Sequence, residues 1–185
     1  MGNLTSKHLN YDKATRKGKE LITQGDQLGL FIIIALQTGL RCGDILKLQK
    51  KDFFSEGSKY FIRFTAQKTK KEDVRGISKE AFLMADNAIK DTVFYNPIYK
   101  CQYSSNWVNR GLRKVFRSEY IKAKGQGLNI SAHSLRKSIG LLLYESSGLE
   151  TTRAFLQHQS YDTTKVYLNI TKTELNEKVA SILGF

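Results

Sequence analysis

The chain has 185 residues, 41% of them apolar and 11% aromatic, with a single proline, so one hydrophobic core is the default and a long disordered tail is excluded. Thirty Lys and Arg against 17 Asp and Glu leave a formal charge of +13, far from the balance of an ordinary metabolic enzyme. The basic residues are spread through residues 47–75 and 110–124 and interleaved with apolar ones, so the charge belongs to a folded surface, and the expected partner is nucleic acid in preference to lipid.

After a polar, lysine-bearing opening, residues 26–37 predict a helix apolar nearly all round, the pattern of a helix buried in a core. Gly39 breaks it just before Arg41, and Ile45, Leu46 and Leu48 predict a second short helix over 42–49. Residues 53–77 change to period two, with Tyr60, Ile62 and Phe64 on one face. The polar Gln67-Lys68-Thr69-Lys70-Lys71 turn makes this a hairpin or small meander with lysines at its tip. A helix over 78–91 capped by Ser78, a loop at Asn96-Pro97 and a basic amphipathic helix over 105–120 follow. The remaining helices are expected at 132–147, 151–157, 163–169 and 172–183, with Ser147-Gly148 ending the first of them. The fold class is therefore α+β, mainly α: a single helical domain over 1–185 with one small antiparallel β-sheet or hairpin.

Residues 1–12 hold no apolar core of a secretory signal, and the longest apolar run, 28–36, is nine residues against the ~20 a span needs, so a soluble cytoplasmic protein without membrane contact is expected. Cys42 and Cys101 read as reduced packing cysteines, and no Cys/His spacing resembles a zinc site. No metal or other cofactor is expected.

The chemistry lies in three places. His133-Ser134-Leu135-Arg136 sets an imidazole and a guanidinium three apart on one helix face, where both can address one anion. Thr38-Gly39-Leu40-Arg41 places another arginine after a glycine break, with Asp44 three residues on. Leu156-Gln157-His158 is followed nine residues later by Tyr167.

Together these resemble the catalytic domain of the tyrosine recombinases, the phage-integrase family. Its pattern is a TGLR-type box with an acidic residue three later, a hairpin lysine, HxxR, a second His or Trp, and a tyrosine nine after it. Gln157 stands where the family usually has glycine and Lys137 where it often has histidine, and neither replaces a catalytic type. The resemblance covers the chain from about Leu28 onward and implies either an excised catalytic domain or a short single-domain member like the fimbrial-switch recombinases, without a separate N-terminal core-binding domain.

The resemblance implies a site-specific recombinase or integrase acting on double-stranded DNA. Tyr167 would attack a phosphodiester to give a 3′-phosphotyrosyl link, needing no ATP because the link conserves the bond energy, and no metal, in keeping with a sequence that has no acidic cluster of the two-metal kind. Arg41 and Arg136 would clamp the charge that builds on the phosphorane, His133 would accept the tyrosine proton, and His158 would hydrogen-bond a nonbridging oxygen. Lys68 is the general-acid candidate, with Lys70 and Lys71 as alternatives, and Asp44 would buttress the arginine and histidine side. Lys70, Lys71, Arg110, Arg113, Lys114 and Lys137 are the expected DNA contacts. Tyr161 and Tyr144 are the rival tyrosines. The stripe of Leu175, Val179, Ile182 and Leu183 implies exchange of residues 172–185 between protomers in a tetramer on DNA, monomers being possible in free solution. A competing reading is a non-catalytic DNA-binding regulator or accessory protein using residues 151–169 as a helix-turn-helix.

Overall fold

The structure, a computed structural model, describes residues 5–67 and 70–168. The chain divides into two compact units, Met1–Ile139 and Gly140–Phe185. Among the described residues the first unit is built on α1 (Tyr11–Thr23) and α2 (Gln27–Thr38). Asp26 caps α2 by accepting from Leu28 N at 2.8 Å, and Gly39, at φ 62°, ends it in the left-handed conformation that glycine tolerates. Ten of the twelve residues of α2 are buried, Phe31 with its ring edge on Phe94 at 5.9 Å. The helix is thus the core of its unit, as its all-round apolar sequence predicts.

The polar opening hides α1, which the sequence reading leaves without an element. Asn10 caps it, accepting from Lys13 N at 2.8 Å. Its buried residues are Ala14 and Gly18, so it packs through small residues and shows no large apolar stripe. A Cβ on Gly29 would lie 2.6 Å from Ile22 N and 2.7 Å from Gly18 O, so α1 and α2 touch backbone to backbone.

A three-stranded antiparallel sheet follows α3 (Cys42–Leu46): β1 (Phe53–Glu56), β2 (Lys59–Thr65) and β3 (Glu72–Ile77), in the order β1-β2-β3. Phe53 pairs with Ile62 and Phe64 with Asp73. Ile62 and Phe64 are buried and Tyr60 packs on Phe82, while Phe54 and Phe61 stack on the other face at 5.5 Å. That is the period-two pattern of the sequence.

α4 (Lys79–Asp86) is capped by Ser78 as expected but stops at Asn87, short of Asp91. Beyond it the backbone pairs with another segment: Asp91 O accepts from Lys50 N at 2.8 Å and Val93 N donates to Leu48 O at 3.1 Å. The Asn96-Pro97 loop is the turn of a small hairpin, β4 (Tyr95–Asn96) with β5 (Cys101–Gln102). The basic helix is two helices, α5 (Ser105–Val115) and α6 (Arg117–Gly125), because the backbone leaves helical geometry at Phe116 (φ −107°, ψ 46°), whose side chain is buried in the core. Lys13 pairs with Glu119, joining α1 to α6.

α7 (Ala132–Phe155) departs from helical geometry at Gly148 (φ 80°), where the sequence places a break. α8 (Tyr161–Leu168) starts two residues earlier than expected because Ser160 caps it, accepting from Thr163 N at 3.1 Å. The domain class is α+β and mainly helical. Residues 172–185, expected as the exchanged helix, lie outside the described residues, as does Lys68.

Candidate active site

The turn between α2 and α3 presents Arg41. Thr38 donates to Ile34 O at 2.6 Å and accepts from Leu40 N at 3.3 Å, and Gly39 N donates to Ala35 O at 3.0 Å, so hydrogen bonds fix the backbone entering Arg41. Arg41 is half-buried at the N-cap position of α3. Arg136 on α7 is only 5% exposed and donates from its guanidinium to the carbonyl of Gly39. One backbone contact therefore ties the second arginine to the turn that carries the first.

His133 lies one helical turn before Arg136 and is an exposed residue. Its pKa is lowered from the usual histidine value, first by desolvation and then by the positive charges of Arg136, Arg41 and Lys137. Such an imidazole stays neutral at pH 7 and can take a proton. Lys137, expected as a DNA contact, is 7% exposed, and burial lowers its pKa.

Asp44 is also buried, and its partner is the lysine turn: Oδ1 accepts from the backbone N–H of Gln67 at 3.2 Å, while the Gln67 side-chain amide donates to Gly43 O at 3.4 Å. Asp44 Oδ2 has no hydrogen-bond partner among the described residues. In the sequence Gln67 is only part of the polar turn, because a glutamine before a run of lysines carries no signal until its backbone partner is known. The turn is closed by Lys70 N to Ala66 O at 2.7 Å and Ala66 N to Lys71 O at 3.0 Å, leaving Lys70 and Lys71 exposed.

In the second unit, α7 ends in a Schellman motif. His158 N donates to Arg153 O at 3.0 Å, Gln157 N donates to Ala154 O at 3.0 Å, and Gln157 sits at φ 52°. His158 is thereby placed one residue beyond the left-handed position. Its Nδ1 lies 3.1 Å from Thr164 Oγ1, and its ring meets that of Tyr167 edge-on, centroids 5.1 Å apart and planes at 78°. Tyr167 is half-buried on α8. Of the rival tyrosines, Tyr161 is exposed with the Arg153 guanidinium over its ring at 4.9 Å, and Tyr144 is half-buried.

A groove of about 540 Å³ on α5 is lined by Ser104, Asn106, Asn109, Arg110 and Arg113. Arg110 and Lys114 are exposed, whereas Arg113 donates to Ile130 O at 3.3 Å and lies over the Tyr120 ring at 5.6 Å. Asn109 Oδ1 accepts from Ala132 N at 3.0 Å, which fixes α5 against the start of α7. Cys42 is half-buried with its pKa pushed up to about 11 by burial, and Cys101 is exposed. Among the described residues no group of three or more His, Cys, Asp or Glu could hold a metal ion, and no helix is long and apolar enough to cross a membrane.

The model of the phage integrase family matches residues 19–174. The chain is 27% identical to tyrosine recombinase XerH of Helicobacter pylori over 162 residues, covering 83% of this chain and 43% of that protein. It is 27% identical to tyrosine recombinase XerC of Chlamydia pneumoniae over 140 residues, covering 72% of this chain and 44% of that one. The chain thus spans less than half the length of these curated relatives. Among solved structures it resembles the XerA recombinase (TM-score 0.70, 17% identity, 97% of this chain and 66% of that one). It resembles equally XerH bound to its difH substrate before cleavage (TM-score 0.70, 20% identity, 96% and 55%). A lambda integrase tetramer bound to a Holliday junction gives a TM-score of 0.60 at 19% identity, over 90% of this chain and 49% of that one. These likenesses share the fold described above, and the match of the family model over most of the length settles the kinship: the chain belongs to the phage integrase family.

Proposed function

We propose that this chain cleaves and rejoins double-stranded DNA through a 3′-phosphotyrosyl link on Tyr167. The observation that carries the reading is the buried Arg136, one helical turn beyond His133, whose guanidinium donates to the Gly39 carbonyl in the turn that carries Arg41. A DNA phosphodiester already bears one negative charge, and attack by a tyrosine oxygen adds to it, so fixed guanidinium donors lower the barrier. Tyr167 Oη forms the bond to phosphorus, its proton passes to His133, and the bond to the 5′ oxygen breaks as that oxygen takes a proton from Lys68. Return of a 5′ hydroxyl from another strand reverses these transfers and restores the phosphodiester, so no ATP is required.

Arg110, Lys114 and the polar α5 groove supply contacts to the DNA backbone, joined by Lys70 and Lys71 of the hairpin turn. Copies assemble on DNA through residues 172–185, and a chain truncated at 171 that still assembles on DNA removes that part of the reading. The catalytic part is tested by incubating wild-type protein and Tyr167→Phe with nicked DNA from the flanks of its own gene and looking for SDS-resistant protein on DNA. An adduct formed by wild type alone is expected. An adduct that survives the substitution moves the nucleophile to another residue, and binding without any adduct favours the regulator reading.

A further inference from the structure

We propose that the tip of the β4–β5 hairpin seats in a groove of the DNA duplex beside the candidate active site, Ile98 and Tyr99 within the groove and Lys100 on a phosphate at its rim. Ile98 and Tyr99 are 82% and 77% exposed, so neither contributes to the core. They stand on a built turn. Asn96 Oδ1 accepts from Ile98 N at 3.0 Å and from Tyr99 N at 3.2 Å, Pro97 restricts the backbone on the entering side, and Lys100 closes the turn at φ 51°. A turn held in one shape that displays two large apolar side chains to water gains nothing for the fold, whereas it spares a partner the cost of ordering them.

The charge around the tip says which partner. Lys100 lies in the turn itself. Lys47 follows Leu46, whose carbonyl accepts from the Gln102 side-chain amide, and Lys90 precedes Asp91, whose carbonyl accepts from Lys50 N at 2.8 Å. All three lysines are exposed and none pairs with a carboxylate among the described residues, with Asp91 the acidic group set among them. An apolar tip among cations fits a surface with anionic rims and an apolar floor, which a duplex groove provides through its phosphates, sugars and base edges. A second copy carries the same +13 and repels it. Position favours DNA over a lipid surface. The hairpin is tied to α3, which begins just after Arg41, and Tyr103 stacks at 3.8 Å on Trp107 of α5, the helix that carries the groove with Asn106 and Arg110. Chain geometry keeps Tyr99 within about 30 Å of Arg41, under one turn of duplex, so DNA seated on the site spans that distance. The inference rests on the proposed function and adds to it a contact that holds the duplex largely without charge.

The test places a photoreactive benzoylphenylalanine at position 99 of the full chain and irradiates it with nicked duplex from the flanks of its own gene, in the presence of phosphatidylglycerol vesicles. Crosslinks to the duplex are expected, and in the trapped adduct they should fall within about one turn of the nick. Crosslinks to a second copy or to lipid instead, or none, overturn the proposal. The double substitution Ile98→Ser, Tyr99→Ser is expected to weaken duplex binding by about tenfold, the scale of two apolar contacts, with the slope of log Kd against log salt unchanged because no cation is removed. Lys100→Gln is expected to reduce that slope by about one. An affinity of the double variant within twofold of wild type, or a slope that Lys100→Gln leaves unchanged, also overturns it. Wild type that binds and crosslinks without forming an adduct sinks the functional reading alone, and wild type that does not bind duplex sinks both.

Discussion

Gln157 occupies a backbone conformation that suits glycine, and replacing it should stabilise the end of α7. At φ 52° a side-chain-bearing residue meets its own carbonyl, at a cost of roughly 1–2 kcal/mol in the left-handed region. Glycine relieves that contact but adds roughly 0.5–1 kcal/mol of backbone freedom to the unfolded chain. The difference leaves Gln157→Gly more stable by about 0.5–1 kcal/mol. The local readout is hydrogen exchange of the His158 amide, which is protected by its bond to Arg153 O and leaves protection when the Schellman turn opens. Its exchange should slow by about two- to fivefold, the same free energy expressed as an opening constant. Gln157→Ala separates the two contributions, since it removes the side-chain amide without relieving the backbone, and it should not slow exchange. The reasoning fails if Gly and Ala behave alike, because the left-handed strain would then not be what glycine removes.

Arg136→Lys keeps the charge but not the fork. One ammonium cannot serve both the Gly39 carbonyl and a phosphate, so adduct formation should fall on the order of 10²- to 10³-fold, while DNA retention on a filter changes little. A rate within threefold of wild type would remove Arg136 from the site. Because the His133 pKa lies below the usual 6.5, adduct formation should hold as pH falls to 6.5 and decline only below it. The folded state takes that proton less readily than the unfolded chain. The stability tied to His133 is therefore present above about pH 6.5 and lost as pH falls through the depressed value. Melting temperatures from pH 8 to 5 should show a shallower loss in His133→Asn than in wild type. Gly29→Ala drives a methyl group into the backbone of α1 and should cost about 1–3 kcal/mol, read as a fall in the urea midpoint. An unchanged midpoint would mean that α1 and α2 can part without cost.

The parts of the fold legible in the sequence are those whose signal is local. α2 announces itself by an apolar run between an Asp cap and a glycine, and β2 by its alternation. The failures share one cause, the pull of distant backbone. α4 ends early because residues 91 and 93 bond to Lys50 and Leu48. α1 is buried through Ala14 and Gly18, so the pattern that marks a packed helix is missing from it. The residue types of the candidate site stand out by spacing, whereas their supports do not. Neither Gln67 nor Thr164 belongs to a chemistry that invites notice, and each becomes visible only through a hydrogen bond, to Asp44 and to His158.

Those supports also say where the chemistry is vulnerable. Arg41 is the N-cap residue of α3, directly after the Gly39 turn, His133 stands in the first turn of α7, and His158 follows its left-handed end. Helix ends carry backbone groups that the helix itself leaves unpaired, and here Asn109, Ser160 and the backbone of the Schellman turn satisfy several of them. A side chain mounted on such an end takes its aim from the cap, while the cap contributes only about 1 kcal/mol to the fold. Displacing a reacting group by an ångström can cost about 10²-fold in rate, the equivalent of roughly 2.7 kcal/mol. Substitutions at the capping residues should therefore reach the rate of adduct formation before they reach the melting temperature, and that order distinguishes a positioning shell from a merely stabilising one.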